Sequence, residues 1–316
     1  MSRMRAVVVD PSAPHRLALS EVDEPSPDSS EALVRVAAVS LNRGEVRRAM
    51  TADEPGARPG WDLSGTVVRT AADGTGPAEG ARVVGFLPSG AWAELAAVPT
   101  NALAELPDGV SFEQASTLPI AGLTALYALE KGGGLVGKRV LVTGASGGAG
   151  LFALELARLA GARVVALVRR EEHDGLVREA GAHAVAVGED GEAARGYGPY
   201  GLILESIGGA VLGNALSMLA PEGTCVSFGV SGGAESTFDV RNFFYAGGAA
   251  LYGFIIFHEV LAQPASEGLA RLVRLVDEGS LTPRIEVVED WTAFGAVADR
   301  LMQRGFTGKA VLRVGV

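Results

Sequence analysis

At 316 residues the chain has room for about two domains of roughly 150 residues each. Its 48% hydrophobic and 20% charged content excludes a disordered chain or a coiled coil, and a formal charge of −10 repels a phosphate backbone, so nucleic acid is not an expected partner. The single cysteine, Cys225, allows neither an intrachain disulfide nor a cysteine-rich zinc lobe.

The first apolar run, 6–9, is too short for the core of a signal peptide and reads as a first strand. Short β-type runs follow at 32–39, 65–69 and 81–86, with Asp73-Gly74 and Pro88-Ser89-Gly90 as turn signals. Strands this short and closely spaced suggest a small barrel or sandwich. From about residue 118 the texture changes to strands alternating with helices. Residues 138–142, 163–168, 184–187, 201–204 and 224–228 read as strands, and 151–160, 172–180 and 212–219 as helices. That alternation implies a parallel sheet with crossover helices. The longest uncharged stretch, 243–257, is interrupted by Gly247, Gly248 and Gly253 and falls short of a membrane span, so a cytoplasmic protein without membrane association is expected. In the tail, 267–278 and 291–304 each place apolar residues on one helical face, and 310–314 is a final strand.

The most informative stretch is Thr143-Gly144-Ala145-Ser146-Gly147-Gly148-Ala149-Gly150, between the strand at 138–142 and a helix. A dinucleotide site requires this setting, because glycines permit a tight turn, close approach of a pyrophosphate and close helix–strand packing. Ser146, Gly147, Gly148, Ala149 and Gly150 are the candidates to hold the pyrophosphate at the helix N-terminus. Gly147 and Gly150 match the last two fingerprint glycines and Ala145 stands in place of the first; the alternative is a plain strand-to-helix turn. About 20 residues further on, an acidic residue would accept a ribose 2′-hydroxyl. Arg169 and Arg170 stand there instead, and their guanidiniums suit a 2′-phosphate. NADPH is therefore the expected cofactor, although Glu171 and Glu172 would repel the phosphate if they faced it. Ser206 and Ile207, and then Phe228, Gly229 and Val230, follow two strands of the parallel sheet and are expected to line the cofactor.

Further strings complete the pattern: Ser40-Leu41-Asn42, Pro59-Gly60-Trp61-Asp62-Leu63-Ser64-Gly65, Gly90-Ala91-Trp92-Ala93-Glu94, Leu118-Pro119-Ile120-Ala121-Gly122-Leu123-Thr124-Ala125, Leu204-Glu205-Ser206-Ile207-Gly208-Gly209 and Gly308-Lys309-Ala310-Val311-Leu312. In this order they resemble the medium-chain dehydrogenase/reductase superfamily, and within it the zinc-independent, zeta-crystallin-like quinone oxidoreductases. The resemblance implies an α/β fold. A chaperonin-10-like β-barrel catalytic domain would take residues 1–117 and 258–316, and a Rossmann domain with a doubly wound parallel sheet, binding NADPH, would take 118–257. It also implies a homodimer formed through the Rossmann domain.

In the family's alcohol dehydrogenases Cys and His hold a catalytic zinc. Here the Cys position is Asn42, the Gly-His-Glu position reads Gly60-Trp61-Asp62, and the four histidines are scattered, so no metal site is expected. Without a Lewis acid to help an alcohol lose its proton, hydride delivery to an electron-poor conjugated acceptor is the easier reaction. The expected function is NADPH-dependent, zinc-independent reduction of a quinone or an α,β-unsaturated carbonyl compound. An enoyl thioester reductase of polyketide or fatty-acid type, and a non-catalytic NADPH-binding sensor or structural protein, are the alternatives.

By the resemblance, Asn42 is expected where substrate meets nicotinamide, its amide donating to a carbonyl or a ribose hydroxyl, and Trp61 is expected to wall the acceptor pocket. Thr124 is expected to reach the cofactor. Each has a plainer reading: a turn Asn before Arg43-Gly44, a core Trp, and a helix Thr bonded to its own backbone. Lys309 reads as a surface lysine at the start of a strand, with approach to the cofactor as the alternative. His173 and Gly188 stand where relatives carry a Lys and a Tyr, which counts against NADPH. No general acid is identifiable.

Overall fold

The computed structural model describes residues 2–52 and 54–315, and the chain divides into two compact units, Met1–Leu123 with Val260–Val316, and Thr124–Glu259. In the first unit β1 (Arg3–Val9) and β2 (Leu17–Asp23) form an antiparallel ribbon. The strands β3 (Glu31–Ser40), β4 (Asp62–Arg69), β5 (Arg82–Phe86), β6 (Leu95–Pro99) and β7 (Leu103–Glu105) follow. The second unit holds β8 (Arg139–Val142), β9 (Arg163–Val168), β10 (Ala184–Val187), β11 (Tyr200–Glu205), β12 (Leu219–Ser227) and β13 (Ala250–Gly253). The chain then returns to the first unit for β14 (Ile285–Asp290) and β15 (Lys309–Arg313).

The larger sheet of the first unit runs β14-β15-β3-β4-β5-β7, with β6 also on β3. β3 pairs with three strands: β4 along one edge, β6 with its first half and β15 with its last residues. Register shifts at Leu33/Val34 and Val36/Ala38 are the bulges that coil a sheet in this way. At Gly65 a Cβ would fall 2.0 Å from the Arg35 carbonyl oxygen, so only glycine permits β4 to cross β3 there. The helix Ala265–Asp277 buries Ala265, Leu269, Leu272, Val273 and Val276, the spacing of a single apolar face.

All strand pairs in the second unit are parallel, and their order is β10-β9-β8-β11-β12-β13. β8, β9 and β11 are nearly continuous apolar runs because helices cover both faces of a parallel sheet. Leu141, Leu167, Ile203, Leu216 and Cys225 form part of its core; burying each such side chain contributes about 1.5–3 kcal/mol. The element expected at 172–180 is a 3-10 turn, Glu171–His173, followed by the helix Asp174–Glu179. The strand expected from 224 starts earlier, at Leu219, with an irregularity between its pairings at Tyr200 and Leu202. Among the described residues no helix is long and apolar enough to cross a membrane.

Candidate functional site

In the second unit the strand order reverses between β8 and β11, and ligands of open parallel sheets bind at the carboxyl ends of the strands at such a point. Gly144 carries φ +59° just beyond β8, and a Cβ there would meet Ser206 Oγ at 2.6 Å. The left-handed residue of the tight turn is therefore Gly144, while Ala145, one place later, is fully buried and donates its N–H to Leu167 O at 3.3 Å. The fingerprint glycine that position 145 lacks is thus supplied by its neighbour. Gly147 is the N-cap of the helix Gly148–Leu159 and offers no capping side chain. A Cβ on Gly150 would fall 2.5 Å from Gly144 O and 2.8 Å from Ala145 Cα, so only glycine lets this helix pack onto the turn. The N–H groups of the first turn have no acceptor within the helix and lie at the positive end of its dipole.

The loops that carry Ser206–Ile207 and Phe228–Val230 gather around the same turn. Ser206 donates its N–H to Thr143 Oγ1 (3.0 Å) and its hydroxyl to Thr143 O (3.2 Å). Phe228 N–H donates to Glu205 O, and Gly232 N–H to Ile207 O. A Cβ on Gly229 would fall 2.5 Å from Ser206 O, so the loops carrying Ser206–Ile207 and Phe228–Val230 are zipped together. At the end of β9, Arg169 and Arg170 are exposed. Arg170 Nε lies 3.0 Å from Glu172 Oε1, so Glu172 is drawn onto this guanidinium, while Arg169 has no partner among the described residues. Thr124 is buried near the start of the helix Leu123–Glu130; no hydrogen bond joins its hydroxyl to the helix backbone or to the turn among the described residues.

Sequence reasoning passed over Glu205. Its fully buried carboxylate ends the apolar run of β11. It accepts the N–H groups of Ile207 (2.7 Å) and Gly208 (3.0 Å) and the Thr143 hydroxyl (3.3 Å). Burial pushes its pKa above the usual carboxylate range, against the opposing effect of these hydrogen bonds.

A second polar cluster lies inside the first unit. Asn42 is not a turn residue but the N-cap of the helix Arg43–Thr51, and Glu45 Oε1 accepts its backbone N–H at 2.7 Å. Asn-x-x-Glu is the spacing of a capping box, a signal the sequence carried. The Asn42 Nδ2 group donates to Glu45 Oε1 (2.9 Å) and to Asp62 Oδ2 (2.8 Å), and Oδ1 accepts from Lys309 Nζ at 2.6 Å. The amide expected to serve a substrate is thus committed on both of its N–H groups. Lys309, read as a surface residue, is 3% exposed because it points inward from the start of β15. It also donates to Leu41 O (3.1 Å) and lies 3.4 Å from Asp62 Oδ2.

Asp62 is fully buried and accepts the Ser40 hydroxyl (2.5 Å) and the Ile120 N–H (2.9 Å), the latter from a single π-helical turn, Leu118–Gly122. Trp61 donates its backbone N–H to Glu45 Oε2 at 2.8 Å, and its ring lies against the helix at Gly44. Burial, then the nearby Asp62 charge, raise the Glu45 pKa well above the usual range, while Lys309 opposes them. Among the described residues, no group of three or more His, Cys, Asp or Glu side chains is placed to hold a metal ion.

A glycine-lined turn at the switch point of a six-stranded parallel sheet, in one chain with a separate, largely antiparallel β unit, defines a dinucleotide-binding protein of the two-domain oxidoreductase class. Residues 28–108 match the family model for the alcohol dehydrogenase GroES-like domain and residues 148–274 the one for zinc-binding dehydrogenases. Rat quinone oxidoreductase is 32% identical over 73% of this chain and 75% of its own length. Erythronolide synthase EryA2 of Saccharopolyspora erythraea is 34% identical over 65% of this chain, a stretch that spans only 6% of that synthase. A mycobacterial protein solved in complex with NADPH superposes with a TM-score of 0.88 at 26% identity, over 98% of this chain and 99% of the other. The chain belongs to the medium-chain dehydrogenase/reductase superfamily, among its quinone oxidoreductase-like members, and its fold joins a GroES-like domain to a Rossmann domain.

Proposed function

We propose that the protein is an NADPH-dependent, zinc-independent reductase that transfers a hydride to a quinone or an α,β-unsaturated carbonyl compound. The observation that carries this reading is the turn at Gly144–Gly150, where a Cβ at position 150 would collide with backbone and where an uncapped helix start faces the space a pyrophosphate needs. When bound, NADPH supplies the hydride. Ser146, Gly147, Gly148, Ala149 and Gly150 would hold the pyrophosphate, Gly147 by shaping the turn, since its N–H is donated to Gly144 O at 3.0 Å; Arg169, joined by Arg170 once Glu172 lets go, would hold the 2′-phosphate. Ser206, Ile207, Phe228, Gly229, Val230 and Thr124 line the remainder of the cofactor. The mycobacterial neighbour solved with NADPH supports the same assignment.

Asn42 and Trp61 take the substrate side by family resemblance. Any donation from the Asn42 amide then requires one of its carboxylate bonds to open. Zinc independence is supported by residue chemistry: an amide and an indole stand where the family's zinc enzymes place Cys and His, and neither binds zinc well. A homodimer through the Rossmann unit is supported by the outer edge of β13, which pairs with no strand among the described residues, and by the exposed Phe244, Tyr245, Leu251 and Ile255 around it, an apolar patch that a second copy would cover. A cytoplasmic location accords with the lone, buried Cys225. The likeness to a polyketide synthase segment supports a second reading, reduction of an enoyl thioester.

NADPH consumption against a panel of quinones, enones and enoyl thioesters, with and without a chelator, tests the proposal. Chelator-insensitive turnover of a quinone or enone is expected. Turnover of enoyl thioesters alone establishes the second reading, and binding of NADPH without oxidation by any acceptor makes the protein a sensor or structural protein.

A further inference from the structure

The buried polar groups of the first unit's cluster are hydrogen-bonded to one another around one ammonium. An ammonium has three N–H donors, and Lys309 Nζ faces three oxygens: Leu41 O (3.1 Å), Asn42 Oδ1 (2.6 Å) and Asp62 Oδ2 (3.4 Å). The groups behind them are fixed in turn: Asp62 by Ser40 and Ile120, and Glu45 by the backbone N–H groups of Asn42 and Trp61. Two carboxylates, Glu45 and Asp62, lie in this buried space with Lys309 as the cation among them. Without it, the buried Asp62 carboxylate would face a space rimmed by the Leu41 and Asn42 oxygens, the donor set that hard cations seek.

The amide of Asn42 is oriented by the same arrangement. In the observed orientation Oδ1 meets the ammonium and Nδ2 meets both carboxylates. Flipped, Nδ2 would oppose the ammonium and Oδ1 would oppose both carboxylates, an unfavourable contact on each side.

We propose that Leu41 O, Asn42 Oδ1 and Asp62 Oδ2 form a cation cage that the chain fills with its own Lys309 ammonium, and that this internal cation holds the Asn42 amide in a single orientation. Lys309 is a positioning residue. The cage does not depend on the reductase reading; its bearing on turnover through Asn42 rests on that reading. An external cation has no room while Lys309 is present, and a small alkylammonium or a divalent ion fits the vacated cage once the side chain is cut back.

The test is Lys309→Ala in the full chain, followed by thermal unfolding and by NADPH-dependent turnover. Propylammonium restores the atoms that the substitution removes, tetramethylammonium is too bulky, and Mn2+ probes the oxygen set. The variant is expected to melt below the parent and to recover saturably with propylammonium, and to a lesser degree with Mn2+, but not with tetramethylammonium. The parent is expected to respond to none of them. Turnover is expected to fall about tenfold or more in kcat, with the NADPH KM unchanged, and to return with propylammonium. Lys309→Met, which fills the space without charge, is expected to show no response.

If the Ala variant does not fold, its refolding yield is the readout, and rescue by propylammonium but not by tetramethylammonium supports the cage. Equal stability of variant and parent, loss that no cation repairs, or stoichiometric Mn2+ uptake by the parent at these residues each overturns it. If the parent turns over no acceptor, the reductase reading fails while the melting and refolding results still decide the cage.

Discussion

A methyl group at Gly150 would sit 2.5 Å from the Gly144 carbonyl oxygen, so Gly150→Ala must open the turn or tilt the helix. The expected cost is about 1–3 kcal/mol of stability, with NADPH affinity lowered about tenfold or more, equivalent to about 1.4 kcal/mol. Thermal unfolding and calorimetry read both, and Gly134→Ala, whose Cβ would meet nothing within 4 Å, serves as the unperturbed control. Gly147 and Gly150 were legible because the spacing of a turn is written in consecutive residues. The buried role of Lys309 was not, because its partner Asp62 lies 247 positions away and a strand pattern does not say which inward-facing polar group meets which. Glu45 is intermediate: its capping signal with Asn42 is local and readable, whereas its approach to the Trp61 backbone is not.

At the scale of elements, β8, β9 and β11 were readable as apolar runs between turn signals, since burial on both faces leaves a continuous signature. Among the elements that went unread are the helix Arg43–Thr51 and the strands β2, β6, β7, β13 and β14. Only Glu45, Val46 and Ala49 of that helix are buried, too few to make a clear stripe. β13 lies at the sheet edge with Ala250, Leu251 and Gly253 exposed, so its sequence is not shaped by burial. Glu205 joins two elements, the ends of β8 and β11, and its raised pKa makes a prediction. A carboxyl whose pKa is higher folded than unfolded contributes stability that is fully present below its ordinary value of 4.5 and is lost as pH rises through the raised value. Glu45 acts with the same sign. Glu205→Gln keeps an oxygen for the Ile207 and Gly208 N–H groups but cannot ionise. The fall in Tm from about pH 5 to about pH 8 is therefore expected to be smaller in Glu205→Gln than in the parent; an identical fall would show that this carboxyl does not titrate in that window.

Over the whole molecule, the change from short, closely spaced strands to alternating strands and helices was enough to read the fold class, because each sheet type leaves its own period in the sequence. The chemistry was less legible. With a formal charge of −10, the chain must attract a polyanionic cofactor against its own field, and the proposal assigns that attraction to local groups: an uncapped helix start and Arg169, which has no partner among the described residues. The account as a whole rests on that attraction. Calorimetric titration of the intact protein with NADPH and with NADH, repeated on Arg169→Ala, tests it most directly. One NADPH per chain is expected to bind, about tenfold or more tighter than NADH, and the preference is expected to shrink in Arg169→Ala. Uptake of neither dinucleotide would contradict the account.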